Sequence, residues 1–107
     1  MINCALIGYG RWGKVIYKNI IKNNYLNLKV IFYNKSIDKK NINKNIILSN
    51  NYKKFNYRSI KLIFIAVNSE LNYNLCKCFL SKKINVFVEK PISINKKRID
   101  ELIYIAK

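Results

Sequence analysis

Histidine, threonine and glutamine are absent from the 107-residue sequence, while glycine occurs three times and proline once. Without histidine the chain can hold no Ser-His-Asp triad, no Cys-His pair and no metal site with a histidine ligand. The cysteines are Cys4, Cys76 and Cys78. On a helix the C-x-C spacing turns Cys76 and Cys78 about 200° apart, so they cannot share a face. We therefore expect buried thiols in a reducing compartment and no metal site.

Long hydrophobic runs are also missing. The longest comprises the six residues 62–67, whereas a membrane-spanning helix requires about 20. The first residues lack the charged segment and long apolar stretch that are typical of a secretory signal. We expect a cytoplasmic protein with no membrane segment, and the length allows one domain over residues 1–107 with a hydrophobic core.

Acidic residues are few, five against 21 Lys and Arg, which gives a formal net charge of +16. Such a balance is compatible with nucleic-acid binding. However, 19 Ile, 18 Lys and 17 Asn make up half of the chain, and all three have A/T-rich codons. The basic residues are also spread along the sequence in short runs. We interpret the charge mainly as coding bias, and a nucleic-acid-binding domain is the minor alternative.

Strand-like apolar runs alternate with helix-like stripes along the chain. Strands are predicted over residues 3–7, 28–33, 46–48, 61–67 and 84–88. Apolar residues at helical spacing form three stripes, namely Trp12, Val15, Ile16 and Ile20, then Leu71, Leu75, Cys78 and Phe79, and finally Ile99, Leu102, Ile103 and Ala106. A small turn or helix is predicted around Tyr52, Phe55 and Tyr57. The alternation predicts an α/β fold with a doubly wound, Rossmann-like parallel sheet of about five strands.

All three glycines fall in one G-x-G-x-x-G motif, formed by Gly8, Tyr9, Gly10, Arg11, Trp12 and Gly13. The motif follows a predicted strand and opens a predicted helix, which is the context of a dinucleotide-binding loop. Gly8 permits the tight turn, Gly10 lets the backbone approach a pyrophosphate, and Gly13 allows close packing of the helix. The helix N-terminus then offers free N–H groups to the phosphates. A glycine-rich turn without a ligand is the weaker interpretation.

The residue that selects the ribose is expected at the end of the second strand, where Asn34 and Lys35 stand. An acidic residue at this position would favour NAD(H). Asn34 carries no charge that would repel a 2′-phosphate, and Lys35 could attract one. The pair favours NADP(H) over NAD(H), although Lys35 could equally be one more solvated lysine.

Two further strand ends carry candidate site residues. Val67 and Asn68 follow the fourth strand, and Glu89 and Lys90 follow the fifth, just before Pro91. In open parallel sheets ligands bind outside these carboxyl ends, so Val67, Asn68 and Glu89 are candidate cofactor contacts. Lys90 is the candidate catalytic residue, because a lysine there could hydrogen-bond a substrate hydroxyl and help to move its proton.

The sequence resembles the N-terminal domain of the Gfo/Idh/MocA oxidoreductases over nearly its whole length. Three segments carry the resemblance: residues 7–13 (IGYGRWG), 62–68 (LIFIAVN) and 88–91 (VEKP). The resemblance implies that the glycine loop binds the NAD(P) pyrophosphate and that Lys90 lies at the active site. It also implies hydride transfer between the nicotinamide and a hydroxyl or ketone of a sugar or cyclitol.

The chain departs from the family pattern in several places. Asn34 stands where an acidic residue is usual, Asn72 where histidine is common, and 66–68 read AVN where the family usually has ATP. Family members continue into a second α/β domain that binds the substrate. We therefore expect residues 1–107 to be an incomplete dinucleotide-binding domain, which lacks the last strand and the C-terminal substrate domain. It would be a truncated gene product or a subunit with a split-enzyme or oligomeric partner.

One further alternative stays open. The chain could be a non-catalytic dinucleotide-binding or interaction module whose exposed sheet edge pairs with a partner.

Overall fold

The computed structural model describes residues 1–34, 37–67, 69–88 and 103–105. The strands are β1 (Ile2–Ile7), β2 (Leu26–Phe32), β3 (Ile47–Ser49), β4 (Leu62–Ile65) and β5 (Asn85–Val88). The helices are α1 (Arg11–Lys22) and α2 (Ser69–Ser81), with a 3-10 turn over Tyr52–Lys54. Residues 103–105 are helical, and the rest of the predicted final helix lies outside the described residues. No helix in this part of the chain is long and apolar enough to cross a membrane.

The five described strands form a single parallel sheet with the order β3-β2-β1-β4-β5. From β1 the chain winds outward to β2 and β3, and it then returns to the other side of β1 for β4 and β5. This arrangement confirms the Rossmann-like α/β fold. The order reverses between β1 and β4, and the carboxyl ends of these strands are where such sheets bind ligands.

Alternation along the strands divides the core between the two faces of the sheet. The face that packs against α2, called here the α2 face, buries Ala5, Ile7, Ile63 and Ile65 together with Leu75 and Phe79 of the helix. The opposite α1 face buries Cys4, Leu6 and Ile31 with Ile16, Tyr17 and Ile20 of α1. Because helices cover both faces, residues 4–7 of β1 and all of β4 are apolar, as expected for a parallel sheet.

The buried side of α1 differs from the predicted stripe. Gly13, Ile16, Tyr17 and Ile20 face the sheet, whereas Trp12 and Val15 are 47% and 41% exposed. Gly13 explains the difference, since a Cβ there would overlap the Gly8 carbonyl oxygen, so the helix can approach the loop this closely only with its glycine side turned inward. The prediction that Trp12 and Val15 belong to the packed stripe was therefore wrong.

The buried side of α2 is also rotated relative to its predicted stripe. Asn72, Leu75, Cys76 and Phe79 are buried, whereas Leu71 is 46% exposed and Cys78 is half-buried. Asn72 and Cys76, four residues apart, thus occupy the packed positions that the sequence analysis assigned to Leu71 and Cys78. Leu71 lies instead at the rim of a cleft described below.

Candidate functional site

The carboxyl ends of β1, β2 and β4 are joined by backbone hydrogen bonds at the start of their loops. Gly8 N–H donates to the Phe32 carbonyl over 2.8 Å, and Ala66 N–H donates to the Ile7 carbonyl over 2.8 Å. Between the ends of β2 and β3, Tyr33 N–H donates to the Ser49 carbonyl over 2.9 Å. These bonds extend the sheet pairing into the loops and therefore fix the glycine loop between β2 and β4.

Two of the glycines are required by the chain's own packing. Gly8 has a φ of +98°, and a Cβ there would overlap the Ala66 carbonyl oxygen and lie 2.9 Å from its carbonyl carbon. A Cβ at Gly13 would overlap the Gly8 carbonyl oxygen and lie 2.8 Å from the carbonyl carbon. The loop, the first turn of α1 and the end of β4 therefore meet at distances that exclude any side chain at these two positions.

Gly10 is different, because within the described residues a Cβ there would meet nothing within 4 Å. Gly10 is the N-cap of α1, and no side chain caps it. The first helical hydrogen bond runs from Lys14 N–H to the Gly10 carbonyl over 3.0 Å. The N–H groups of Arg11, Trp12 and Gly13 thus have no acceptor in the helix, and the positive end of its dipole lies beside an open space.

A cleft of about 460 Å³ opens at this edge of the sheet. Its volume lies in the range typical of small-molecule and cofactor sites. Its lining comes from the ends of β1, β2 and β4, from the glycine loop, from the segment after β3 and from α2: Ile7, Gly8, Tyr9, Gly10, Phe32, Tyr33, Asn34, Asn50, Tyr52, Ala66, Val67, Leu71 and Leu75.

One wall of the cleft is apolar and rests on an aromatic cluster. Tyr52, Leu71 and Leu75, called here the apolar wall, line the cleft together with Asn34 and Asn50. Beneath it five rings contact one another in edge-on or tilted pairs: Phe32, Tyr52, Phe55, Tyr57 and Phe79. The apolar wall can contact an apolar part of a ligand, and the side chains of Asn34 and Asn50 can offer hydrogen bonds.

Tyr57 fixes the position of Tyr52 in that wall. Its hydroxyl donates a hydrogen bond to the Tyr52 carbonyl oxygen. Burial raises the pKa of Tyr57, with smaller contributions from Cys78 and Tyr52. The hydroxyl therefore stays protonated and remains a donor at neutral pH, so the 3-10 turn that carries Tyr52 is held in place.

The model of a family described as an oxidoreductase family with an NAD-binding Rossmann fold matches residues 2–107. The chain belongs to the Gfo/Idh/MocA oxidoreductase family. This match confirms the resemblance and identifies the chain as the NAD-binding Rossmann domain of that family. No curated protein matches the sequence.

Solved structures match the Gfo/Idh/MocA domain over nearly its whole length. A candidate oxidoreductase from Klebsiella pneumoniae is 26% identical, with a TM-score of 0.83, and the match covers 99% of this chain and 32% of that one. An oxidoreductase from Bacillus cereus is 19% identical, with a TM-score of 0.88 and coverages of 99% and 32%. Biliverdin reductase from Synechocystis, solved with biliverdin and NADP⁺, is 13% identical, with a TM-score of 0.86 and coverages of 98% and 34%. The chain spans about a third of the length of these proteins.

The cleft brings together five of the site residues expected in this Gfo/Idh/MocA domain: Gly8, Tyr9, Gly10, Asn34 and Val67. Arg11 and Trp12 lie exposed on the first turn of α1, outside the lining, and Gly13 is buried under the loop. Lys35, Asn68, Glu89 and Lys90 lie outside the described residues.

Sequence reasoning missed several residues of the lining, in particular Asn50, Tyr52, Leu71 and Leu75. A signal existed for Asn50, because β3 was predicted and its carboxyl end must lie at the same edge as Asn34. Leu71 and Leu75 are four residues apart on the helix after β4, a spacing that also fits plain core packing. The sequence alone therefore did not distinguish a cleft wall from a core stripe.

Proposed function

We propose that the cleft binds NAD(P) and that the chain is the cofactor-binding part of an oxidoreductase acting on sugars or cyclitols. The observation that carries the proposal is Gly10, which is open on the side of the cleft while Gly8 and Gly13 are crowded by the protein's own backbone. Packing explains the other two glycines but not this one. A ligand phosphate that lies close to Gly10 would explain why this position has no side chain.

The residues around the cleft fit the parts of a dinucleotide. The N–H groups at the start of α1 suit the pyrophosphate, because they are donors at a helix N-terminus that have no acceptor among the described residues. Tyr52, Leu71 and Leu75 offer an apolar surface for the adenine, and the Asn34 amide at the end of β2 can bond the ribose. When bound, the nicotinamide supplies hydride transfer, and the chain's own residues bind and orient it.

Asn34 supports a preference for NADP(H) over NAD(H). It lines the cleft and carries no negative charge that would repel a 2′-phosphate. The Synechocystis biliverdin reductase, which shares the fold, was solved with NADP⁺. Lys35, the following residue, is a candidate partner for the phosphate and lies outside the described residues.

Lys90 is proposed as the catalytic residue and Glu89 as a cofactor contact, on the sequence argument and the family resemblance. They follow the end of β5 at Val88 by one and two residues. Lys90 would hydrogen-bond the substrate oxygen and help to move its proton. We further propose that the substrate is bound by a partner or a second domain, that the protein is cytoplasmic, and that its thiols are free in that reducing compartment.

The cofactor site is tested by isothermal titration with NADH and NADPH on the wild type and on Gly10→Val. A Cβ at Gly10 meets no atom of the described chain within 4 Å, so only the poorer N-cap should affect stability and the melting temperature should fall by no more than about 8 °C, while affinity falls at least about tenfold. Val15→Ala, an exposed change on the same helix away from the cleft, is the matched control and should bind normally. Equal affinity of Gly10→Val and the wild type would contradict the proposed site.

Catalysis is tested separately from binding. The 107-residue chain should bind cofactor without oxidising any member of a polyol panel, because the substrate-binding part is proposed to come from elsewhere. With that part supplied, Lys90→Met should reduce turnover by about a hundredfold or more and leave NADPH affinity unchanged. Binding that never supports turnover would favour the non-catalytic module.

A further inference from the structure

Basic side chains form a row along the exposed side of α1. This row, called here the basic ridge, consists of Arg11, Lys14, Lys18 and Lys22, which are all exposed. At about 100° and 1.5 Å per residue, these positions fall within about 80° of arc around the helix axis and extend over about 17 Å. The buried residues of α1 face the sheet on the other side of the helix. The basic ridge is therefore a line of positive charge on the surface of the molecule.

Little negative charge lies beside the basic ridge in the described part of the chain. α1 itself has no acidic residue, and Asp38, between β2 and β3, lines a small cavity together with Lys14 and Lys18. The segment that carries Asp38 is fastened to α1, because Asn43 N–H donates to the Tyr17 hydroxyl over 3.1 Å. The same segment adds further exposed lysines, namely Lys39, Lys40 and Lys44. The carboxylate of Asp38 is therefore outnumbered by the cations of the ridge and of its own segment.

Coding bias does not account for this concentration of charge, because it acts on both helices alike. α2 is 13 residues long against 12 for α1, yet its single lysine, Lys77, is balanced by Glu70. α2 therefore carries no net charge, whereas every charged residue of α1 is basic. Lys82 and Lys83 follow α2 at its C-terminal turn, where the helix dipole favours cations. The helix dipole explains these two lysines without a ligand.

The stability of α1 does not explain the basic ridge either. Arg11 and Lys14 lie near the start of the helix, where the positive end of the dipole disfavours cations, and only Lys22 lies in the last turn, where the dipole favours them. Lys14, Lys18 and Lys22 follow one another at intervals of four residues, and like charges at this spacing destabilise a helix. The ridge therefore disfavours the helix in the free chain, and a bound anion would relieve the repulsion.

We propose that the basic ridge binds the phosphate backbone of a nucleic-acid strand, independently of its base sequence. One strand of a duplex carries a phosphate about every 3.4 Å along the axis, so the ridge is as long as about five phosphates. Evenly repeated phosphates suit a row of cations, whereas the carboxylates of an acidic protein surface have no such fixed spacing. The ridge lies outside the lining of the cleft. Binding of a nucleic acid is thus a function separate from the proposed cofactor site.

The experiment measures binding of fluorescein-labelled oligo(dT) of about 15 nucleotides by fluorescence anisotropy at about 50–200 mM salt. The wild-type chain should bind with a Kd of about 1–100 μM, and the logarithm of its affinity should fall with the logarithm of salt with a slope of about −3, as expected for four phosphate contacts on a single strand. The ridge variant combines Lys14→Gln, Lys18→Gln and Lys22→Gln, since glutamine has nearly the helix propensity of lysine. It should bind about a hundredfold more weakly near 0.1 M salt, with a slope of about −1.

The matched control combines Lys77→Gln, Lys82→Gln and Lys83→Gln. These lysines are exposed on α2 and on the turn that follows it, and α2 packs on the other face of the sheet. The control loses the same net charge as the ridge variant. It should bind oligo(dT) less than about threefold more weakly than the wild type and keep the wild-type slope.

Three outcomes would overturn the proposed nucleic-acid binding. Equal losses of affinity in the ridge variant and the control would show that the net charge of the whole chain attracts the strand. Poly-L-glutamate that displaces oligo(dT) as well as unlabelled oligo(dT) does, at equal charge, would favour an acidic protein as the partner. Without nucleic acid, the ridge variant should melt at or above the wild-type temperature, because repulsion within α1 has been removed. A lower melting temperature would show that these lysines serve the stability of the chain.

Discussion

Both faces of the sheet have a buried apolar core, but they contribute differently to the cleft. On the α2 face, buried Ile7, Phe32 and Leu75 are also part of the cleft lining. Tyr52 of the aromatic cluster lines the cleft as well. On the α1 face none of the described buried residues lines the cleft. That face serves the site through the N-terminus of α1, where Gly10 lines the cleft.

Stability and cofactor binding are therefore expected to depend on the same core residues on the α2 face and on different residues on the α1 face. A change in the α2-face core should alter both the free energy of unfolding and the shape of the apolar wall of the cleft. An equally large change in the α1-face core should alter the free energy of unfolding alone. Core truncations of similar expected cost, one on each face, test this directly.

The largest effect is expected from truncation of Phe79, which is fully buried on the α2 face and contacts the Tyr52 and Tyr57 rings. Phe79→Ala should lower the free energy of unfolding by about 3–5 kcal/mol, measured by urea denaturation. The remaining folded protein should also bind NADH several-fold more weakly, because the wall loses its support.

Ile20→Ala is the matched variant on the α1 face, where Ile20 is 2% exposed. It should cost about 2–5 kcal/mol, yet its folded fraction should bind NADH as the wild type does. Phe79→Leu and Ile20→Val are milder substitutes if either alanine variant does not fold. Equal loss of NADH affinity on both faces would contradict the separation.

Alkaline pH should lower the free energy of unfolding by a smaller amount, and the two faces should contribute equally to this decrease. Cys4 on the α1 face and Cys76 on the α2 face are buried, and burial raises the pKa of each thiol from 9.0 to about 11. The unfolded thiols ionise first, so the stabilisation is complete below pH 9.0 and is lost as the pH rises towards 11. Each thiol should account for roughly 2 kcal/mol near pH 10.5.

The measurement compares urea denaturation of the wild type with Cys4→Ala and Cys76→Ala across this pH range. Each variant removes one titrating thiol, so its stability should fall less steeply with pH than that of the wild type. A reduced slope for only one of them would show that the two faces exclude water unequally.

A still smaller effect is expected at Tyr57, because a single hydrogen bond is removed there. Tyr57→Phe deletes the bond to the Tyr52 carbonyl oxygen and should cost about 1 kcal/mol of stability. NADH affinity should fall a few-fold, since the 3-10 turn that carries Tyr52 is released. Tyr25→Phe, a change at a residue that is 78% exposed, is the control. Wild-type affinity in Tyr57→Phe would show that the turn is held by packing alone.

The sequence predicted the five strands, the doubly wound parallel sheet and the glycine loop, because apolar runs, their alternation with helical stripes and the positions of three glycines indicate them. It did not predict which side of α1 is buried. Large apolar residues pointed to Trp12 and Val15, but the contact of Gly13 with Gly8 determines the rotation of the helix. Nor could it assign Tyr52 and Leu71 to a cleft, because that depends on how β3 and α2 are placed beside β1.

The smallest effect is expected from substitution of Trp12. This substitution tests whether the N-terminus of α1 contributes to cofactor binding through its backbone alone. The indole is 47% exposed and lies outside the cleft lining, so any role in phosphate binding belongs to the backbone N–H. Trp12→Ala keeps that N–H, and it should change the free energy of unfolding by less than about 1 kcal/mol and NADH affinity by less than about twofold. Isothermal titration beside Gly10→Val gives the comparison, since that variant adds bulk at the neighbouring open position. A tenfold loss in Trp12→Ala would mean that the indole itself touches the cofactor, and that the α1 face contributes side chains as well as backbone to the pyrophosphate site.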